Sequence, residues 1–69
     1  MKGYLINLGF AYRTLLDKKE IYTLYRNKHK LEVLKNYNTI WIYLDNQEQT
    51  FAQNGIYIIK QVEKLLKEL

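Results

Sequence analysis

His29 is the single histidine of the sequence and stands in a basic run, Arg26-Asn27-Lys28-His29-Lys30. Histidine is the side chain best suited to proton transfer near neutral pH, and a base among cations would favour an anionic substrate such as a phosphodiester. Little else supports covalent chemistry. There is no Cys and no Ser, so the hydroxyl nucleophiles reduce to Thr14, Thr23, Thr39 and Thr50, three of which fall in predicted strands. Seven scattered acidic residues in so short a chain offer no deep cleft with paired carboxylates. Gly3, Gly9 and Gly55 stand apart and form no phosphate loop, and one His without Cys cannot build a zinc cluster. The composition therefore predicts a binding protein without catalytic residues, metal or cofactor.

The basic run is the centre of the predicted binding surface. Residues 1–35 hold eight basic groups against three acidic ones, whereas residues 36–69 hold three against four, so the net charge of +4 belongs to the first half. Lys and Arg neutralise phosphates, and Tyr rings offer stacking faces worth roughly 1 to 3 kcal/mol per base. Arg13, Tyr22, Tyr25, Arg26, Lys28, His29, Lys30 and Lys35 are accordingly the candidate contacts to nucleic acid or to an acidic protein surface. No RNA-recognition signature, KH loop or zinc-finger spacing accompanies them. A solvated turn in a Lys-, Ile-, Asn- and Tyr-rich chain gives the same charges without any partner.

Seven Tyr and Trp41 exceed what a small core absorbs, and aromatic residues of this kind anchor protein interfaces. The alternative reading is thus a protein-binding inhibitor or adaptor of the phage or mobile-element type, acting on a host machine. A minor alternative rests on His29. In size and in its lone histidine the chain resembles single-histidine messenger-RNA-cleaving toxins, which implies ribonuclease activity at His29. Those toxins carry Gly-Ser before the histidine, whereas here its neighbours are Lys28 and Lys30.

These residues need elements to hold them. Ile58, Val62, Leu65 and Leu69 recur at steps of four, three and four, with Lys60, Glu63, Lys64, Lys67 and Glu68 opposite, which predicts an amphipathic C-terminal helix capped by Asn54. The same stripe suits pairing with a second copy, so a homodimer through this helix is expected. Thr39-Ile40-Trp41-Ile42-Tyr43-Leu44 reads as a strand, returning after a turn at Asp45 to Glu48 through Gln49 to Ala52. Residues 20–25 and 30–34 flank the basic run as a second hairpin. Residues 4–16 fit both period two and a helical face, and the period-two pattern of Tyr4, Ile6, Leu8, Phe10 and Tyr12 favours a strand.

The fold expected is α+β, a single domain over residues 1–69 with a small antiparallel sheet of three to five strands packed against the C-terminal helix. A competing parse makes residues 14–25 and 29–36 helices of a winged helix-turn-helix. No apolar run reaches the roughly 18 residues of a membrane span, and the first residues lack a signal-peptide pattern. Absent Cys suits a reducing compartment, so a cytoplasmic location without membrane contact is expected.

Overall fold

The computed structural model describes all 69 residues. A short helix α1 (Lys2–Asn7) leads into strands β1 (Ala11–Thr14), β2 (Glu20–Arg26), β3 (His29–Asn36), β4 (Thr39–Leu44) and β5 (Gln47–Ala52), and helix α2 (Gly55–Glu68) closes the chain. The five strands form one antiparallel meander in the order β1-β2-β3-β4-β5. This is the α+β architecture anticipated, with the strand count at its upper bound.

Tight turns fix the register. Asn27 and Lys28 both have positive φ between β2 and β3, as do Asp45 and Asn46 between β4 and β5. Two left-handed residues match the right-handed twist of the strands they join, and Asn and Asp tolerate that conformation. The hairpins therefore pair Arg26 with His29 and Leu44 with Gln47. A bulge between Ile42 and Tyr43 then shifts β5, so that Ile42 opposes Thr50 while Tyr43 opposes Glu48.

Side chains alternate across the sheet, and the register aligns them in rows. Tyr12, Tyr22, Val33, Ile42 and Thr50 form one row, flanked by Leu24, Leu31 and Leu44 on one side and Ile40 and Ala52 on the other. Onto this face pack Leu5 from α1, Phe10 from the following loop, and Ile58 and Val62 from α2. Nine residues make the whole core: Leu5, Phe10, Tyr22, Leu31, Val33, Ile40, Ile42, Ile58 and Val62.

The helices are positioned by local chemistry. The Asn54 side chain accepts hydrogen bonds from the backbone N–H groups of Ile56 at 2.8 Å and Tyr57 at 3.5 Å, satisfying donors at the start of α2. At the other end Asn27 Nδ2 donates to the Leu69 carbonyl oxygen, tying the helix terminus to the β2–β3 turn. The Tyr4 hydroxyl donates to Glu63, joining α1 to α2. Gly9 follows α1 at φ 106°, a conformation that costs other residues dearly, and turns the chain into β1.

Three expectations are corrected. Residues 2–7 are helical rather than extended, because Leu5 seats in the core from a one-sided turn while only 11–14 pair with β2. The winged helix-turn-helix is excluded, since residues 20–26 and 29–36 are strands. The Ile58 and Val62 part of the proposed dimer stripe is consumed inside the monomer: both are fully buried, and Leu65 packs beside them, leaving that surface unavailable to a second copy. Leu69 is half-buried at the end of α2. No helix is long and apolar enough to cross a membrane.

Candidate functional site

Both helices lie on one face of the sheet, and the other face is uncovered. Its rows follow from the register: Ala11, Thr23, Glu32, Tyr43 and Glu48 form one, and Arg13, Ile21, Leu34, Trp41 and Phe51 the next. Tyr25 and Lys30 begin a third toward the β2–β3 turn. The second row crosses all five strands and is apolar from Ile21 to Phe51. An antiparallel sheet with one solvated face ordinarily carries polar residues there. Here Phe51 is 60% and Tyr25 73% exposed, while Ile21, Leu34, Trp41 and Tyr43 are half-buried.

Two adjoining depressions mark this face. The larger, about 480 Å³, is lined mainly by Ala11, Arg13, Ile21, Thr23, Tyr25, Lys30 and Glu32. The smaller, about 240 Å³, is lined by Ile21, Glu32, Leu34, Tyr43 and Asn46. They share Ile21 and Glu32, so together they form one groove running across the strands from β1 to β4. Short side chains at Ala11 and Thr23 leave its floor low at the β1 end.

The predicted binding residues divide among four places. Arg13, Tyr25 and Lys30 line the larger depression together. Arg26, Lys28 and His29 lie at the β2–β3 turn. Lys35 pairs with Glu20 at the opposite end of the hairpin, beside Met1, Tyr37 and Gly55, far from Arg26. Tyr22 is fully buried on the helix-covered face, with its ring centroid 5.1 Å from that of Tyr12. It cannot stack on a base. Its hydroxyl donates to Glu20 at 2.6 Å, and burial, reinforced by that hydrogen bond, pushes its pKa well above the usual tyrosine value.

Several cations are paired inside the chain. Lys30 lies 3.4 Å from Glu32, and Lys19 lies 3.2 Å from Asp17. Lys2 rests over the Tyr12 ring, 4.1 Å from its centroid. Arg13, Arg26 and Lys28 have no acidic partner. The positive charge thus frames the β1 side and the hairpin tip instead of filling one patch.

Asp45 is the residue that sequence reasoning missed. Its Oδ2 lies 2.7 Å from His29 Nδ1, its Oδ1 accepts from the Lys30 backbone N–H at 2.9 Å, and its own N–H donates to the Lys30 carbonyl at 2.8 Å. The hydrogen bond with His29, followed by that from Lys30, holds the Asp45 carboxyl below the usual carboxylate range. A carboxylate on one imidazole nitrogen orients the ring, yet the same carboxylate clamps the β2–β3 hairpin to the β4–β5 turn. No three His, Asp or Glu side chains converge on a metal-sized site.

The fold and site define a five-stranded meander with both helices on one face and an apolar, grooved sheet on the other. No protein-family model, curated protein or solved structure matches the chain.

Proposed function

We propose that this is a non-catalytic protein-binding module, an inhibitor or adaptor whose contact surface is the open sheet face. The observation that carries this reading is the apolar row Ile21, Leu34, Trp41 and Phe51, with Tyr43 and Tyr25 beside it, left without cover by either helix. Exposed apolar patches with aromatic anchors and polar borders are the usual substance of protein interfaces. The unpaired Arg13 on the β1 side, with Arg26 and Lys28 at the β2–β3 tip, favours a partner whose apolar patch is edged by carboxylates. The absence of Cys from the sequence suits work in the cytoplasm.

Differential capture tests it. The wild-type chain should retain a partner that the double variant Trp41→Asp/Phe51→Asp loses, with both proteins equally folded by circular dichroism. Equal retention by both would remove the open face from consideration.

Nucleic-acid binding is the second reading, favoured by Arg26 and Lys28 standing free at the tip beside the exposed Tyr25. Under it, labelled DNA or RNA binds at low salt with an affinity falling linearly in log salt, and Arg26→Glu/Lys28→Glu abolishes the signal. No shift at low salt disposes of it.

A further inference from the structure

The groove is too narrow for a helix. Its floor is the row Ala11, Thr23 and Glu32, and its walls are the rows one alternation away: Tyr25 and Lys30 above, Arg13, Ile21 and Leu34 below. Those wall rows are four residues apart along the same strands, roughly 13 Å from Cα to Cα at ~3.3 Å per residue. Once the wall side chains occupy their share, the gap is smaller than the ~10 Å girth of a helix. An extended chain fits. From β1 to β4 the groove runs about 14 Å at ~4.8 Å per strand, the reach of four or five extended residues.

Charge decides which extended chain. Glu32 lines both depressions, in the middle of the groove. Its Oε1 meets Lys30 Nζ, and no protein donor is bonded to Oε2. A carboxylate at that point opposes a phosphate backbone and suits a cationic side chain or backbone N–H groups. At the β1 end Arg13, free of any acidic partner, suits a carboxylate. Between them Ile21 and Leu34 offer an apolar wall.

We infer that the groove binds an extended acidic-apolar-basic peptide segment of the protein partner, its carboxylate on Arg13 and its Lys or Arg on Glu32. Two strand spacings and one alternation separate Arg13 from Glu32, about 12 Å, so the two charges stand three to four residues apart in the peptide. The inference rests on the open face being the contact surface and adds the conformation and charge order of what lies on it.

A random twelve-residue peptide library displayed on phage, panned against the intact protein, is the probe. Expected winners carry Asp or Glu three to four positions from Lys or Arg with an apolar residue between. Synthetic versions should bind about tenfold more weakly to Arg13→Glu or Glu32→Lys, and Glu32→Lys should regain affinity for a peptide with its basic residue changed to Glu. Winners with apolar residues at helical spacing, insensitive to Glu32→Lys but lost with Trp41→Asp/Phe51→Asp, overturn the groove and leave the open face standing. Winners indifferent to all these substitutions overturn both. An unenriched library overturns the groove proposal, and the differential capture above then decides the face separately.

Discussion

The two faces of the sheet are built from the same strands by alternate residues, and they solve different problems. On the covered face Tyr22, Leu31, Val33 and Ile42 are fully buried under Ile58, Val62 and Leu5. On the open face Ile21, Glu32, Leu34, Trp41 and Tyr43 occupy the intervening positions and keep part of their surface in water. The buried part of the covered face is apolar throughout and holds the chain folded. The open face interleaves apolar rows with Arg13, Lys30 and Glu32, the kind of mixture that protein interfaces carry. A chain of this size builds one core, and the second apolar face lies outside it.

Substitutions on the two faces should part company most widely at neighbouring residues of β4. Ile42→Ala removes buried methyls from the centre of the core and should cost about 2 to 5 kcal/mol. Against a total of roughly 3 to 10 kcal/mol for a domain this small, that approaches unfolding. Trp41→Ala, one residue away, removes a half-buried side chain that borders water and should cost less, about 1 to 3 kcal/mol. Urea denaturation of the two variants measures the difference. Equal losses would mean that the open face is structural and that the contrast between faces fails.

Much of this organisation is legible in the sequence. The stripe from Ile58 to Leu69 and the cap at Asn54 give α2, and Thr39–Leu44 is a strand on composition alone. The open face was legible too, in a form easily overlooked. β4 reads Ile-Trp-Ile-Tyr-Leu after Thr39, apolar at every position, and β2 carries Ile21, Tyr22, Leu24 and Tyr25. Strands with only one buried face ordinarily alternate; these carry apolar residues on both sides, one side under the helices and the other open. The same lack of alternation hid which tyrosine faces inward. Register answers it, since Tyr22 shares a side with Leu24 and opposes Val33, whereas Tyr25 opposes Lys30.

Residues 4–16 were harder, because period two and a helical stripe coexist there until the seating of Leu5 and Phe10 in a distant core chooses between them. Spacing along the chain also suggested that Lys35 joins Arg26 in one patch. An eight-residue strand carries the two to opposite ends of a hairpin.

The covered face depends on α2 staying in place, so weakening the helix start should injure that face alone. Asn54→Ala removes the acceptor for the Ile56 and Tyr57 N–H groups and should cost about 1 kcal/mol. Hydrogen exchange should quicken in the first turn of α2, with the β3 and β4 amides following only through global opening. Exchange that quickens equally everywhere would show that α2 and the sheet are not separable.

Tyr22 is the polar tip inside that face. Tyr22→Phe deletes one hydrogen bond to the half-buried Glu20, which water can replace, so the expected loss is about 0.5 to 1.5 kcal/mol. Its pH dependence is sharper. The folded-state pKa is raised above the unfolded value of 10.0, so the folded state keeps a proton that the unfolded state releases. Stability from this group is whole below pH 10 and declines as pH rises beyond it. Thermal melts from pH 8 to 11 should fall on the alkaline side, and less steeply for Tyr22→Phe.

The smallest effect is expected where the two faces meet, at the Asp45 clamp. Its carboxyl is depressed by His29 and the Lys30 N–H, so the stabilisation it lends is present above the unfolded value of 3.8 and is lost as pH falls through the lower folded value. Asp45 is exposed, and solvent screens the interaction, so global stability should scarcely change in Asp45→Gly. The change should be local. Asp45 Oδ1 accepts from the backbone of Lys30, the residue that walls the groove and holds Glu32, so loosening the clamp loosens one wall. Exchange of the Lys30 amide should quicken in Asp45→Gly, which removes the acceptor and keeps the positive φ, while that of Val33, deeper in the same strand, stays unchanged. A Lys30 amide as protected as before would mean that strand pairing alone sets the groove, and that the turn contributes nothing to it.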